Sequence, residues 1–562
     1  VSYAYRKAGA NPVPVTRWPG DGGRISNAAK VPTIIAYSGP TDFKWGYQIK
    51  PTDRPIIGIK LLLDPDQDIP SYLPGSGKKT ALKNLPKPAV HIAADYIGAV
   101  YSHALQEIRK GAVGGFFDSC ERDVVITVPA VWSDKAKDLT LQAAMKAGLG
   151  SVTMIKEPEA AAIYTLSEQK LALQKDDICV ICDAGGGTVD LITYEVAQES
   201  PLKLAEVVPG SGKLPATIYL FHYRAYAKCV QGGMAGAIGL NKRFEDTVRD
   251  LIGEVQMGAF RNVEDGWALV LDQFETEIKR KFCGEGDRPH YIHFPSLKLE
   301  DDPDENLENN TWYMKWQDLR GIFDPIIKDV LRLVDDQVQA SRQKRPSRPL
   351  KAIFLVGGFG SNAYLKSRIE ENFPDTQIIQ PADASSAIMN GAVMHCLTHG
   401  PKIASRRATC HYGVKGLLPK STPEDEHRPS KYNSRDGHTR VEKMIWHITK
   451  GQELKEGEKI KIRFSADFAH PYDKAQLKAV QTLYFSKTSV PPTYPDAKTI
   501  TCCRVEASLY DARSTMKFIP AGADGKPYYE ISYDVVVTAN ANMHFSLEVK
   551  GKEYGSVDVS YE

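Results

Sequence analysis

No window of this sequence approaches the roughly 20 consecutive apolar residues that a helix needs to span a bilayer, and no secretory signal pattern opens it. The chain begins at Val1 rather than at a methionine, and the expectation is that its natural N-terminus lies upstream. Strong charge of either sign is missing too: the formal net charge is +2 over 562 residues. That balance gives no electrostatic reason to expect nucleic acid or an anionic membrane as a partner. The thirteen histidines show no HExxH or related metal-binding spacing. His290 and His293, flanking a short β-like stretch, read as surface or packing residues. The nine cysteines lack framework spacing, which fits a reducing, cytoplasmic compartment. Cys179-x-x-Cys182 does not support a metal or redox site, because strand positions three apart point to opposite faces.

What is present is the composition of an ordinary folded protein, 42% hydrophobic and 25% charged. At this length one core does not suffice, and two to four domains are expected. Up to about residue 400 strand and helix patterns alternate, the mark of an α/β architecture. Val124-Val125-Ile126-Thr127-Val128-Pro129 reads as a buried strand. Ser133-Asp134 then caps a helix whose face carries Ala136, Leu139, Ala143 and Ala147 and which Gly148 ends. A strand over 152–155 leads into Glu157-Pro158-Glu159-Ala160-Ala161-Ala162, a slim helix with proline in its tolerant first turn. A strand over 351–356 ends in Gly357-Gly358-Phe359-Gly360 and is followed by a helix over 363–373, a strand over 377–379 and a helix over 383–394 lined by small residues.

Residues 301–310 read as an acidic, solvated loop and 421–440 as an exposed polar loop. From Val441 onward the pattern is mostly β, which predicts a separate, largely antiparallel C-terminal domain. Residues 213–232 fit badly: their ends carry no capping or turn logic, and the flanking sequence reads smoothly without them. A translated intron and a surface insertion are both open readings there.

The chemistry concentrates at Asp183-Ala184-Gly185-Gly186-Gly187-Thr188-Val189-Asp190. An apolar strand, Ile178-Cys179-Val180-Ile181-Cys182, runs into a triple-glycine turn and out into a second strand. Glycine lets backbone N–H groups approach an anion without an obstructing Cβ. The aspartates can hold a hydrated divalent cation, and Thr188 can donate to a phosphate oxygen. Taken alone, the same residues also suit a purely structural hairpin turn.

Three features in this order and spacing resemble the actin-like ATPase superfamily: the strand–GGG–strand turn, the Glu157-Pro158 helix start and the Gly357-Gly358 turn. Within it they resemble the seventy-kilodalton heat-shock protein family, and most closely its divergent twelfth subfamily, which the Trp446-His447-Ile448-Thr449-Lys450-Gly451-Gln452 stretch and the β-rich tail also fit. The resemblance covers about residues 1–400 and, weakly, the tail. It implies a two-lobed α/β ATPase fold with a β-rich C-terminal region. Residues 1–175 form the first lobe, truncated at its N-terminus; 176–380 form the second, with 213–232 an insertion. Residues 381–400 form a helix returning to the first lobe, and 401–562 the β-rich region.

The resemblance also implies ATP/ADP and Mg²⁺ as cofactors, with protein clients or co-chaperones as partners. Glu157, Asp183 and Thr188 would be the catalytic set, with Asp183 reaching the metal through water. Gly185, Gly186, Gly187 and Asp190 would serve the phosphate turn, although Asp190 also suits a plain turn cap. Gly357 and Gly358 would let the adenosine lie against the backbone. Glu277, Arg280 and Lys281 resemble the family's helix beside the adenine, and equally a solvated helix face. Phosphoryl transfer asks mainly for positioning and charge neutralisation, which such groups supply.

The sequence departs from the family in one respect above all. The Asp-x-Gly-Thr-Thr hairpin that forms the first phosphate loop has no counterpart, and Val1-Ser2-Tyr3-Ala4-Tyr5 resembles the strand that follows it. Half of the phosphate clamp is therefore expected to be missing from this chain. Lys60 stands in the neighbourhood of the family's catalytic lysine, and Ser361 replaces a longer adenine-contacting residue. Two other functions stay open beside an ATPase: a non-catalytic nucleotide-sensing scaffold and a small-molecule kinase of the same superfamily. The Glu157-Pro158 start argues against the kinase, and no catalytic base for a hydroxylated substrate is evident.

Overall fold

The fold comes from a computed structural model that describes all residues except 7–9, 21–28, 51–52, 54, 64–84, 113–114, 131, 169–172, 186–188, 212–236, 262–265, 287, 296, 398–401, 540–542 and 559–562. The 213–232 segment thus lies outside the described residues. The chain divides into two compact units, Val1–Lys402 and Ile403–Glu562.

In the first unit, β1 (Ser2–Tyr3) pairs with β2 (Val13–Pro14), and β3 (Ile34–Tyr37) lies between β4 (Phe43–Trp45) and β5 (Ile56–Ile57). A short helix α1 (Ile59–Leu62) follows, then the long α2 (Ala89–Gly111). The strand β6 (Val124–Val128) runs parallel to β7 (Val152–Lys156), joined through α3 (Asp134–Lys146). Ser133 caps α3, its hydroxyl accepting from Ala136 N–H at 3.2 Å, and Gly148 ends it at φ +79°. Helix α4 (Glu157–Glu168) starts directly off β7.

The second half of this unit is built on a sheet of order β15–β14–β8–β9–β10. Its strands are β8 (Ile178–Ala184), β9 (Val189–Gln198), β10 (Lys203–Ser211), β14 (Leu350–Val356) and β15 (Gln377–Ile379). β14 runs parallel to both β8 and β15, while β9 is antiparallel to β8 and β10. Every residue of β8 is buried, as a central strand covered on both faces requires. Between β10 and β14 come α5 (Ala237–Arg261), α6 (Gly266–Gln273) with a π-helical turn over Phe274–Ile278, and a small sheet of β11 (His290–His293), β12 (Leu307–Glu308) and β13 (Thr311–Met314). The long α7 (Trp316–Lys344) returns to the sheet. The expected acidic loop at 301–310 is only partly a loop, because Leu307 is buried and pairs with Trp312.

After β14 come α8 (Ala363–Asn372) and α9 (Ala387–Cys396), the latter starting later than expected because 383–386 are turns. Its small residues let it cross α4 closely. A Cβ on Gly391 would sit 1.7 Å from Ala160 O, and Ile155, Ala160, Ile163 and Ala392 form the apolar contact around that crossing.

The second unit is antiparallel. One sheet has the order β18–β19–β17–β22–β23: β17 (His411–Pro419), β18 (Ser430–Asn433), β19 (His438–Ile448), β22 (Lys478–Ser486) and β23 (Ile500–Ser508). The short strands β16 (Lys402–Arg407) and β20 (Glu453–Lys455) pair with each other, and the other sheet joins β21 (Glu458–Ala469), β25 (Tyr528–Ala539), β26 (His544–Val549) and β27 (Lys552–Asp558), with β24 (Lys517–Ile519) paired to β25. Val414, Leu483 and Val505 from the first pack with Val535, Phe545 and Leu547 from the second. The polar stretch 421–440, expected as a loop, includes β18 paired with β19 and a turn organised by Asp425. That carboxylate accepts from Ser421 N–H at 2.7 Å, Thr422 N–H at 2.8 Å, Lys443 Nζ at 2.7 Å and Tyr494 OH at 2.8 Å. Polar residues there satisfy one another, so low hydrophobicity did not mean an unstructured connection.

Candidate functional site

Alternation along β8 puts Cys179, Ile181 and Asp183 on one face and Val180, Cys182 and Ala184 on the other. The second set joins the apolar core with Ile353, Leu355, Val330 and Val334, which leaves Asp183 facing the α4 side. Cys179 and Cys182 are both free and buried, and burial pushes the Cys179 thiol up to about 12.

Asp183 stands directly opposite Asp190 of β9, and both are buried. Like charges placed so are destabilising, yet Glu157 at the start of α4 adds a third. One carboxylate oxygen of each of Glu157, Asp183 and Asp190 lies within 4.8 Å of the others. Burial, then the charges of Glu157 and Asp190, push the Asp183 carboxyl well above the usual range against the pull of Lys60 and Lys30. Asp183 Oδ1 is buried without a hydrogen-bond partner among the described residues. Such an oxygen calls for a partner, and a set of hard carboxylate oxygens fits a magnesium-like cation.

Lys60, on α1, answers part of this charge. Its Nζ donates to Glu157 Oε1 at 2.5 Å and lies 5.7 Å from the centre of the Trp132 ring. Burial alone would lower the Lys60 pKa; Glu157, Asp190 and Asp183 outweigh it and raise it. The residue placed by resemblance alone therefore sits on the acid cluster.

Gly185 is half-buried at the end of β8; Gly186, Gly187 and Thr188 lie outside the described residues. The second glycine turn is adjacent because β14 and β8 are parallel neighbours, with Val356 in register with Asp183. Phe359 and Gly360 N–H both donate to Ala184 O, at 2.8 and 2.9 Å. Gly357 has φ +94°, and a Cβ there would lie 2.3 Å from Asp183 Oδ1 and 2.5 Å from Ala184 O. Gly358 is exposed, and the exposed Ser361 donates through Oγ to its carbonyl at 2.8 Å. Both turns lie at the carboxyl ends of sheet strands, where open α/β sheets bind ligands.

The 277–281 segment is held beside this turn by Asn362, whose Nδ2 donates to Lys279 O at 3.1 Å and Phe282 O at 3.4 Å. Glu277 and Lys281 are exposed and pair with each other. Arg280 is exposed as well, but near enough to Lys30 to influence its titration. Sequence reasoning passed over Lys30, which follows a segment without motif, and Asn362, which is visible in sequence only as a helix cap.

Comparison with known proteins agrees with this architecture. The Hsp70 protein family matches residues 94–199, a span containing Glu157, Asp183 and Asp190 but neither the 277–281 segment nor Gly357. Heat shock 70 kDa protein 12A of Homo sapiens is 25% identical over 474 residues, covering 69% of this chain and 65% of that protein. Heat shock 70 kDa protein 12B of Homo sapiens is 23% identical over 437 residues, covering 62% and 58%. A chaperone protein HscA homolog of Acinetobacter baylyi is 31% identical over 138 residues, covering 25% and 20%. The chain thus spans about three fifths of the length of its 12A and 12B relatives. Fold and matches together define an actin-like ATPase fold of the chaperone-like Hsp70 class with a β-rich C-terminal region. Within that class the chain is similar to the divergent twelfth subfamily of the seventy-kilodalton heat-shock proteins.

Proposed function

We propose that this chain is an ATP-binding, chaperone-type ATPase of the cytoplasm, in which Mg²⁺-dependent ATP hydrolysis is coupled to closure of the two lobes and serves protein clients or co-chaperones. The observation that carries this reading is the convergence of Glu157, Asp183 and Asp190 within 4.8 Å, beside a glycine turn that leaves no room for a Cβ at Gly357.

In this reading Asp183 holds Mg²⁺ through water and Asp190 completes the charge around it. The bound cation supplies neutralisation of the phosphate oxygens. Lys60 fixes the Glu157 carboxylate, which positions the attacking water. Gly185, Gly186, Gly187 and Thr188 offer donors to the β- and γ-phosphates. Gly357 and Gly358 form the floor under the adenosine, with the 277–281 segment at its side.

Single-turnover assays with labelled ATP test the proposal. Mg²⁺-dependent phosphate release without an acceptor supports it. Binding without turnover makes the protein a nucleotide-sensing scaffold, and acceptor-dependent phosphorylation makes it a kinase. Failure of the folded protein to bind ATP at all removes the nucleotide reading.

A further inference from the structure

One cation in the cleft is not absorbed by this scheme. Lys30 belongs to the segment leading into β3, and that segment is fixed at two points. Tyr47 OH donates to Lys30 O at 3.0 Å, and Tyr96 OH donates to Pro32 O at 2.9 Å. From this anchored base the side chain reaches the turn after β14: a Cβ built on Gly358 would lie 3.7 Å from Lys30 Nζ. The ammonium has no hydrogen-bond or ion-pair partner among the described residues. Surrounding protein lowers its pKa, Asp183 and Glu157 raise it, and Arg280 lowers it further.

Lys30 therefore stands over a glycine turn, near enough to Arg280 to feel its charge, with no counterion paired to it among the described residues. Glu157 is already engaged by Lys60, and a divalent cation on the acid cluster would cancel its remaining attraction for Lys30. A phosphate chain leaving the adenosine floor at Gly357 and Gly358 toward the acid cluster would pass the Lys30 ammonium. A ligand that brings both a divalent cation and a chain of phosphates satisfies the acids and the two cations together.

We propose that Lys30 contacts the phosphate chain of the bound nucleoside di- or triphosphate, reaching from the β3 side of the cleft to the turn at Gly358. This rests on the nucleotide reading above and deepens it: Lys30 makes the cleft select phosphorylated nucleotide over nucleoside. It also links the two sides of the cleft through the ligand, since its anchor lies with β3 and its target with β14.

The test is calorimetric titration of the 562-residue chain with ATP, ADP and adenosine in Mg²⁺ buffer, for the wild type, Lys30→Ala and Lys30→Arg. A charge-assisted contact predicts that Lys30→Ala weakens ATP and ADP by about tenfold or more, with adenosine affinity and melting temperature unchanged. Lys30→Arg should recover most of the loss. Equal weakening of adenosine and ATP, an unchanged ATP affinity in Lys30→Ala, or no recovery in Lys30→Arg would overturn the Lys30 assignment while leaving nucleotide binding intact. A folded wild type that binds neither ATP nor ADP overturns both.

Discussion

Replacing Gly357 by alanine tests whether the two turns of the cleft are one unit. The new methyl would lie 2.3 Å from Asp183 Oδ1, 2.5 Å from Ala184 O and 2.8 Å from Ala184 C. Two of these are backbone atoms at the end of the central strand, so neither can swing aside as a flexible side chain would. Backbone at φ +94° adds a cost of about 1–2 kcal/mol for an L-residue, and forced displacement of packed neighbours adds about 1–3 kcal/mol. Together they amount to about 2–5 kcal/mol. An unfolding entropy of about 2.1 cal/mol/K per residue over the roughly 400 residues of Val1–Lys402 gives roughly 0.8 kcal/mol/K. Melting of that unit should therefore fall by about 2–6 °C.

Gly358→Ala is the internal control. Among the described residues its Cβ would meet only Lys30 Nζ, at 3.7 Å, an ordinary contact, so stability should change by no more than about 0.5 kcal/mol. Differential scanning calorimetry reports the stability and titration with Mg²⁺-ATP reports the site. Gly357→Ala should lose ATP affinity as well as stability, because the methyl displaces the carboxylate assigned to the metal. If Gly357→Ala melts and binds ATP as the wild type does, the close approach of the Gly357 turn to Asp183 is wrong, and with it the geometry proposed for the cleft.

Other perturbations separate charge from shape. Lys156 lies with its Nζ 3.1 Å from Glu206 and 3.7 Å from Glu159, all three side chains buried. Lys156→Met should cost about 3–5 kcal/mol in denaturant unfolding, as for a buried pair deprived of one partner; a loss under about 1 kcal/mol speaks against that ion cluster. Asp183→Asn removes one of three facing charges, so melting in chelator-containing buffer should not fall, while Mg²⁺-ATP affinity does, the trade expected of a functional residue. A clear drop in metal-free melting would contradict the charge-crowding account.

In the second unit, burial alone would raise the Asp425 carboxyl, but Lys443, Ser421 N–H, Tyr494 and Thr422 N–H together hold it well below its ordinary 3.8. A depressed carboxylate contributes its stability above the unfolded value and loses it as pH falls through the folded one. The melting gap between wild type and Asp425→Asn should thus be widest above 3.8 and close on acidification. A gap that stays constant from about pH 6 to about pH 2 rules out the ion pair as its source.

Legibility in this chain follows locality. The β8–glycine–β9 hairpin could be read because an apolar run, a glycine turn and a second apolar run lie within a few residues, and pairing across it sets Asp183 against Asp190 without distant information. Ser133, Gly148 and Pro158 were legible for the same reason: each acts on its own turn of backbone. The start of α9 and the strand within 421–440 were not, because their boundaries depend on turns at 383–386 and on Lys443 and Tyr494 reaching Asp425 from elsewhere in the chain. The cleft shows the same division. Glu157, Asp183 and Gly357 each announce themselves by local pattern, but their meeting is a product of the parallel pairing of β14 with β8 and of α4 leaving β7 beneath them. The three glycines of one turn look alike in sequence, yet Gly357 and Gly360 are sterically forced and Gly358 is not. Lys30 carries no local signal at all: a lysine before a strand is ordinary, and only the fold brings it over Gly358, near enough to Arg280 to feel its charge. The residues that bridge separate elements are thus the ones a single sequence hides, and in a cleft whose proposed function is to close around a ligand they are the ones on which coupling depends.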